Sequence, residues 1–203
     1  MTIRSAALQE FLDSLKENFA AAKSDPTVSS VVDVLFADLS RPAQAGSQPP
    51  RRLPACRHLP DAINLAKSRT SELARLALAF EAIEPSLAWM VRASGGHFAS
   101  VNWPEGHANA TIVGSAPALE TRDDMAIGAS LLAPNVRYPD HSHAPEEVYL
   151  LLTPGRFQHG DSDWMALGPG ETLHNEPRIK HAMASDDAPL LAFWWPVDEV
   201  MGP

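Results

Sequence analysis

The sequence predicts a mainly β fold, an antiparallel sandwich or barrel that carries an α-helical extension at its N-terminus. Three observations predict it. Apolar residues recur at spacings of three and four through much of the first 85 positions, the pattern of helices with one buried face. From residue 86 onward they gather instead into short runs divided by clusters of Gly, Pro, Asn and Asp, as short strands joined by turns do. Helices first and strands afterwards, without alternation, put the helices outside one β core. The chain has 203 residues, enough for one domain of ordinary size or a small domain with an appendage. The expected division is a helical extension over residues 1–85 and a barrel over residues 86–203.

Residues 5–38 read as helical. Leu8, Phe11, Leu12, Leu15 and Phe19 share one helix face; Ser24, Asp25 and Pro26 punctuate, with Pro26 suited to open a second helix. Val28, Val31, Val32, Leu35, Phe36 and Leu39 continue the period. Residues 40–60 change character, with five prolines and few apolar side chains, and read as an extended connector. Helix resumes over 61–84, where Asp61 can cap and Ile63, Leu65, Leu73, Leu76, Ala77 and Phe80 supply the buried face; Pro85 ends it. The expected strands lie in the runs Leu87–Val91, Ala126–Ala133, Val148–Thr153 and Leu190–Val197.

Composition excludes several function classes. The formal charge is −9, which disfavours a nucleic-acid binder, since phosphates need a concentrated basic face. The basic cluster Arg51, Arg52, Arg57 and His58 reads as a solvated or subunit-contacting part of the connector. A single cysteine, Cys56, allows no internal disulfide and no cysteine-based metal site. No apolar run approaches the roughly 18 residues that a membrane helix needs. The first ten residues hold acid and amide side chains where a secretion signal needs an apolar stretch, so a cytoplasmic protein is the expectation.

The chemistry concentrates in one window. Both tyrosines of the chain, Tyr138 and Tyr149, fall within twelve residues together with His141, His143, Glu146 and Glu147. In an extended chain His141, His143, Glu147 and Tyr149 share a parity, so they can converge inside a barrel, although Pro145 must distort the ladder between them. Imidazole nitrogens with a carboxylate suit one divalent transition metal ion, Zn, Fe, Mn, Co or Ni. A further ligand must come from elsewhere in the chain. His181, at the start of a later strand, is the first candidate, and His174, after the Gly168-Pro169-Gly170 turn, competes with it. His58, His97, His107 and His159 lack such company and read as bystanders.

His141-x-His143-x3-Glu147 followed by Gly155 resembles the first motif of the cupins, and Gly170 to His181 resembles the second. The resemblance spans residues 126–197 and implies a double-stranded β-barrel, or jelly roll, holding a metal through His141, His143, Glu147 and His181. Asn135 stands where the first motif usually opens with glycine, and Pro177-Arg178-Ile179 replaces the usual proline-x-glycine. A narrower likeness rests on Tyr138 ahead of the histidines, Tyr149 two residues after the glutamate, His174-Asn175-x-Pro177 and His181-Ala182-Met183. With the helical extension and the length, these are similar to the bacterial cupin lyases that cleave dimethylsulfoniopropionate, particularly the Q type. That likeness implies β-elimination to dimethyl sulfide and acrylate. It implies Tyr149 as the base at the metal and Tyr138 as a second active-site tyrosine.

These groups suit that chemistry. Dimethyl sulfide leaves as a neutral molecule, so the demanding step is removal of a weakly acidic proton beside a carboxylate, which a Lewis acid eases. A phenol titrates near pH 10 unless a nearby cation favours its anion. The sulfonium end of this zwitterionic small-molecule substrate favours aromatic faces. Trp194 and Trp195, adjacent on the last strand, must face opposite ways, and alternation alone does not say which is inward; His174 is a further substrate-binding candidate. The extension and connector are expected over the barrel mouth or at a subunit interface, and a homodimer is compatible with them. Two alternatives stay open: another cupin metalloenzyme, such as an iron dioxygenase or isomerase acting on a small carboxylate, and a metal-stabilised barrel without catalysis.

Overall fold

The computed structural model describes residues 4–22, 26–41, 43–92 and 97–197. Helix α1 (Ala6–Ala21) is capped by Ser5, whose side chain accepts from the Leu8 N–H at 3.2 Å. Helix α2 spans Pro26–Asp38. Ser24, Asp25 and the side chain of Val31 lie outside the described residues.

The segment expected as a single helix over 61–84 is two, α3 (Leu59–Lys67) and α4 (Ser71–Ile83). The break falls at Thr70, whose hydroxyl accepts from the Leu73 N–H at 3.4 Å and starts α4 afresh. Asp61 does not cap α3. The helix begins earlier, with Pro60 in its first turn, which leaves Asp61 inside that turn beside the positive end of the dipole.

The strands form two sheets. Numbered along the chain they are β1 (Gln44–Ala45), β2 (His107–Gly114), β3 (Glu120–Thr121), β4 (Ile127–Leu132), β5 (Glu146–Leu151), β6 (Gly155–His159), β7 (Met165–Leu167), β8 (Thr172–Asn175), β9 (His181–Ala184) and β10 (Leu190–Val197). Seven run in the order β1-β3-β2-β4-β10-β5-β8, and three in the order β7-β6-β9. Every pairing is antiparallel except the short parallel contact of β2 with β3. The two sheets face each other as a jelly roll, and the four-residue helix α5 (Trp103–Gly106) leads into β2. Among the described residues no helix is long and apolar enough to cross a membrane.

Alternation along the large sheet decides where everything sits. On β10 one parity, Leu191, Phe193 and Trp195, joins the core shared with the helices; the other, Leu190, Ala192 and Trp194, belongs to the barrel interior. β5 divides in the same way, with Val148 and Leu150 outward and Tyr149 and Leu151 inward. The helices therefore cover the outer face of the large sheet and not the barrel mouth. Phe193 is held edge-on by Phe11 at 5.1 Å and Phe80 at 5.0 Å, between centroids, which locks α1 and α4 to the sheet.

Three arginines tie the connector and the helices to the strands. Arg4 pairs with the buried Glu120 at 2.5 Å and donates to the Leu39 carbonyl at 2.9 Å, just beyond α2. Arg122 donates to the Asp38 and Arg41 carbonyls, so two guanidiniums serve the C-terminal end of α2. Arg52 reaches both oxygens of Glu84 at 2.7 Å while about half of its side chain stays exposed. The run Leu87–Val91 contributes isolated bridges, Ala88 to Arg51 and Met90 to Asn109, and no regular strand. β2, β6, β7 and β8 were not marked by apolar runs. β2 is silent because its inward positions, His107 and Asn109, are polar.

Gly128 and Trp194 are cross-strand partners, and the indole lies over the bare Cα. A Cβ at Gly128 would stand 2.0 Å from Trp194 Cζ2. Gly128→Ala is therefore expected to displace the indole and destabilise the fold by about 1–3 kcal/mol. Thermal denaturation and near-ultraviolet circular dichroism of the variant check this; an unchanged tryptophan signal at unchanged stability would contradict it.

Candidate metal centre and its cavity

Three imidazoles meet at one end of the barrel interior. His141 forms an isolated bridge to His181 of β9, with His181 N–H to His141 O at 2.8 Å and His141 N–H to His181 O at 3.0 Å. Their rings stand 4.1 Å apart, and His143 lies 5.0 Å from His181. One ring nitrogen from each of the three falls within 4.8 Å of the others.

The tautomers follow from the anchors. His141 Nδ1 contacts the Pro139 carbonyl at 2.9 Å, His143 Nδ1 the Pro145 carbonyl at 2.8 Å, and His181 Nδ1 the Ile179 carbonyl at 3.0 Å. A carbonyl only accepts, so each Nδ1 carries a hydrogen and donates it. In the neutral ring each Nε2 is then left as a lone pair. His181 Nε2 is buried with no hydrogen-bond partner among the described residues.

Glu147 completes the cluster. Its Oε2 lies 3.0 Å from His143 Nε2 and 3.6 Å from His181 Nε2, the second too long for a hydrogen bond. Asn175 Nδ2 donates to the same Oε2 at 3.2 Å, and His159 Nε2 meets Asn175 Oδ1 at 2.7 Å and donates to it. Converging lone pairs, one carboxylate and a buried nitrogen without a partner suit a divalent cation, and the Nδ1 and Asn175 contacts are the outer supports such sites use.

Burial and mutual proximity shift the titrating groups of the cluster. Burial, then the neighbouring His181, pushes His141 down to about 3. Burial lowers His181 as well. His143 moves up, because its hydrogen bond to Glu147 favours the imidazolium. Burial first, then the Glu147 charge, pushes the Tyr149 phenol well above its ordinary range. Tyr138 is also raised by burial, opposed by the hydrogen bond that Asn109 Nδ2 donates to its oxygen at 3.2 Å.

A cavity of about 420 Å³ opens beside this cluster. His141, His143 and Glu147 form one wall with Tyr138 and Tyr149; Trp194, Met90, Met183, Pro145 and Pro196 form an apolar wall, and Arg92 lies at its edge. Asn109 and Ser130 lie below Tyr138, with Ser130 Oγ donating to Asn109 Oδ1 at 2.6 Å.

Two expected substrate-binding residues lie elsewhere. Trp195 is paired with Val148 and buried on the helix side of the sheet, so Trp194 is the inward tryptophan. His174 pairs with Val148 in register, whereas its neighbour Asn175 pairs with Glu147. Parity thus sends His174 outward, where its Nε2 meets Glu146 Oε2 at 2.7 Å, and removes it as both ligand and substrate contact. His107 and His159 are not bystanders: His107 Nε2 accepts from the Arg92 backbone N–H, and His159 Nε2 donates to Asn175 Oδ1 behind Glu147. Asn109, Ser130 and Arg92 went unmarked in the sequence; the pairing of β2 with β4 is what sets Asn109 against Ser130.

The two departures from the cupin motifs have local explanations. Asn135 adopts φ 59°, the left-handed conformation that a glycine would supply and that asparagine tolerates. The turn before His181 takes its left-handed residue at Arg178, φ 62°, whose N–H donates to the His143 carbonyl at 3.0 Å.

The family model of dimethylsulfoniopropionate lyase matches residues 27–192. A search of curated proteins returned no match. DMSP lyase DddQ from Ruegeria pomeroyi DSS-3 superposes with a TM-score of 0.71 at 20% identity, covering 97% of this chain and 94% of that one. A chain from the crystal structures of DMSP lyases RdDddP and RnDddQII gives a TM-score of 0.71 at 18% identity, covering 98% and 95%.

The shifts of the histidines set an acid limit on the ion-free protein. Groups lowered on folding contribute stability that is full above the unfolded value, near 6.5, and lost as the pH falls toward the folded value, about 3 for His141. His141, His181 and His107 all act in that sense. His143, raised, acts in the opposite sense, stabilising at low pH and losing that contribution as the pH climbs through its folded value. The chelator-treated protein should therefore melt at a lower temperature near pH 5 than near pH 7.5, and His141→Gln should shrink that difference. Melting curves at both pH values decide it; a difference that His141→Gln leaves intact would contradict the assignment.

Proposed function

The chain belongs to the dimethylsulfoniopropionate lyase family, and we propose that it cleaves this substrate by metal-assisted β-elimination with Tyr149 as the base. It is a carbon–sulfur lyase by that membership. The observation that carries the finer reading is the placement of Tyr149 two residues after Glu147, on the same inward face, in the wall of the cavity that the imidazoles line. His141, His143, Glu147 and His181 are the residues that would hold the ion, which their chemistry allows to be Zn, Fe, Mn, Co or Ni. When bound, the ion supplies Lewis-acid stabilisation for the charge that develops beside the substrate carboxylate and for a phenolate.

The chain's own groups account for the remaining steps. The Tyr149 oxygen takes the proton from the carbon next to the carboxylate. The electrons of that C–H bond form the new double bond, the C–S bond breaks, and dimethyl sulfide departs with the bonding pair, leaving acrylate. No acid is needed for a neutral leaving group. Tyr138, held from below by Asn109 and Ser130, presents its hydroxyl to the same space and orients the substrate. Trp194, Met90 and Met183 exclude water around the dimethylsulfonium, and the indole face attracts its charge by roughly 0.5–2 kcal/mol.

Headspace gas chromatography for dimethyl sulfide, with acrylate followed in parallel, tests the reaction. Equal amounts of the two products, lost on chelation and restored by added metal, are expected. Tyr149→Phe keeps the ring and removes the hydroxyl, so turnover should fall by a factor of about 100 or more while bound metal stays; near-normal turnover would reject Tyr149 as base. His143→Ala and Glu147→Ala should each lose metal by elemental analysis. Asn175→Ala removes the hydrogen bond that steers Glu147, and metal affinity should drop by about 10–100-fold.

A further inference from the structure

Beyond the metal ligands and tyrosines, we infer that Arg92 forms an anion subsite in the cavity wall that grips the carboxylate of the substrate and fixes which end of the zwitterion faces the metal centre. This deepens the lyase reading and rests on it for the identity of the ligand. Arg92 is the single cation among the described residues that line the cavity, whose other wall is Trp194, Met90, Met183 and two prolines. It is half-buried, and among the described residues it has no carboxylate partner within ion-pair distance. A guanidinium drawn away from water without a counterion is costly, and an anion from outside relieves that cost.

The base of this side chain is fixed by the fold. The Arg92 N–H donates to His107 Nε2 at 3.0 Å, and His107 Nδ1 donates to the Trp103 carbonyl at 2.7 Å. Both nitrogens of that buried ring are thereby used, and the ring stacks on Trp103 at 4.2 Å with only 4° between planes. Two residues earlier, Met90 and Asn109 exchange backbone hydrogen bonds of 2.7 and 2.8 Å. The segment that carries the guanidinium is therefore pinned to β2, the strand that also supplies Asn109 beneath Tyr138.

The placement gives the cavity a polarity. A carboxylate held between Arg92 and the cation centre leaves the sulfonium no place beside like charge, so it turns to the Trp194 side. The carbon next to the carboxylate then faces the tyrosines. The guanidinium also lies where negative charge accumulates as the proton leaves, which strengthens its hold in the transition state.

Arg92→Gln and Arg92→Lys in the metal-loaded protein test the subsite, with propionate as the carboxylate probe and ethyldimethylsulfonium as the cation probe, both followed by calorimetry. Arg92→Gln is expected to weaken propionate by about tenfold or more, with KM for dimethylsulfoniopropionate rising alongside. Arg92→Lys should recover part of the loss, and ethyldimethylsulfonium affinity and bound metal should stay within about twofold. Propionate affinity unchanged in a folded, metal-replete Arg92→Gln overturns the subsite, as does a wild-type protein that fails to bind propionate. If Arg92→Gln does not fold, Arg92→Lys decides alone: propionate affinity equal to wild type overturns it, a loss supports it. A wild-type protein that binds propionate through Arg92 yet releases no dimethyl sulfide supports the subsite and overturns the lyase reading.

Discussion

A sheet covered on one face by helices and closed on the other into a barrel has no dry place for an unpaired polar group. An inward polar side chain without a partner is costly, and among the described residues only Trp103 Nε1 and His181 Nε2 are side-chain atoms buried without one. Three histidines find carbonyl partners on one side of their rings, two residues away in the chain. Those bonds fix the ring orientations and leave the opposite nitrogens facing one another. The same demand brings Asn175 to Glu147 and His159 to Asn175, so the carboxylate is aimed before any ion arrives. Preorganisation here comes from the need to satisfy donors in a dry interior.

The site is balanced against its own charges. Without an ion, Glu147 is the carboxylate at the centre, and it works against Tyr149 by raising the cost of a second negative charge nearby. A phenolate at Tyr149 would need a nearby cation to offset that charge, and the same burial that penalises the phenolate would strengthen its attraction to such a cation. Arg92 lies at the cavity's edge as a fixed positive charge. In the proposed reaction a bound ion, the phenol and the guanidinium would act as one electrostatic unit around the carbon that loses its proton.

The helices serve the site indirectly. Phe11 and Phe80 clamp Phe193, and Phe193 stands next to Trp194 on β10. A strand whose outward residue is locked cannot rotate its inward neighbour, so packing in the helical layer orients an indole in the cavity. Gly128 completes the arrangement by leaving room for that indole against β4. The helical layer shares one core with the outer face of this sheet, while the barrel interior forms a second, and the extension acts as a wall.

The barrel with its helical extension and the residues of the cluster were legible in the chain, because periodicity and the His141-x-His143-x3-Glu147 spacing are local properties that survive without coordinates. Parity along β5 correctly put Glu147 beside Tyr149. What the sequence could not resolve were choices between neighbours: Trp194 or Trp195, His174 or Asn175. Each pair straddles the two faces of a strand, and which member turns inward depends on register with another strand and on where the chain bends. The roles of Arg92, His107 and His159 were hidden for a related reason, since each acts through a partner at least 15 residues away. Local chemistry named the residues of the cluster; hydrogen-bond register between strands decided which of their neighbours share the cavity, because only pairing converts a position in the chain into a direction in space.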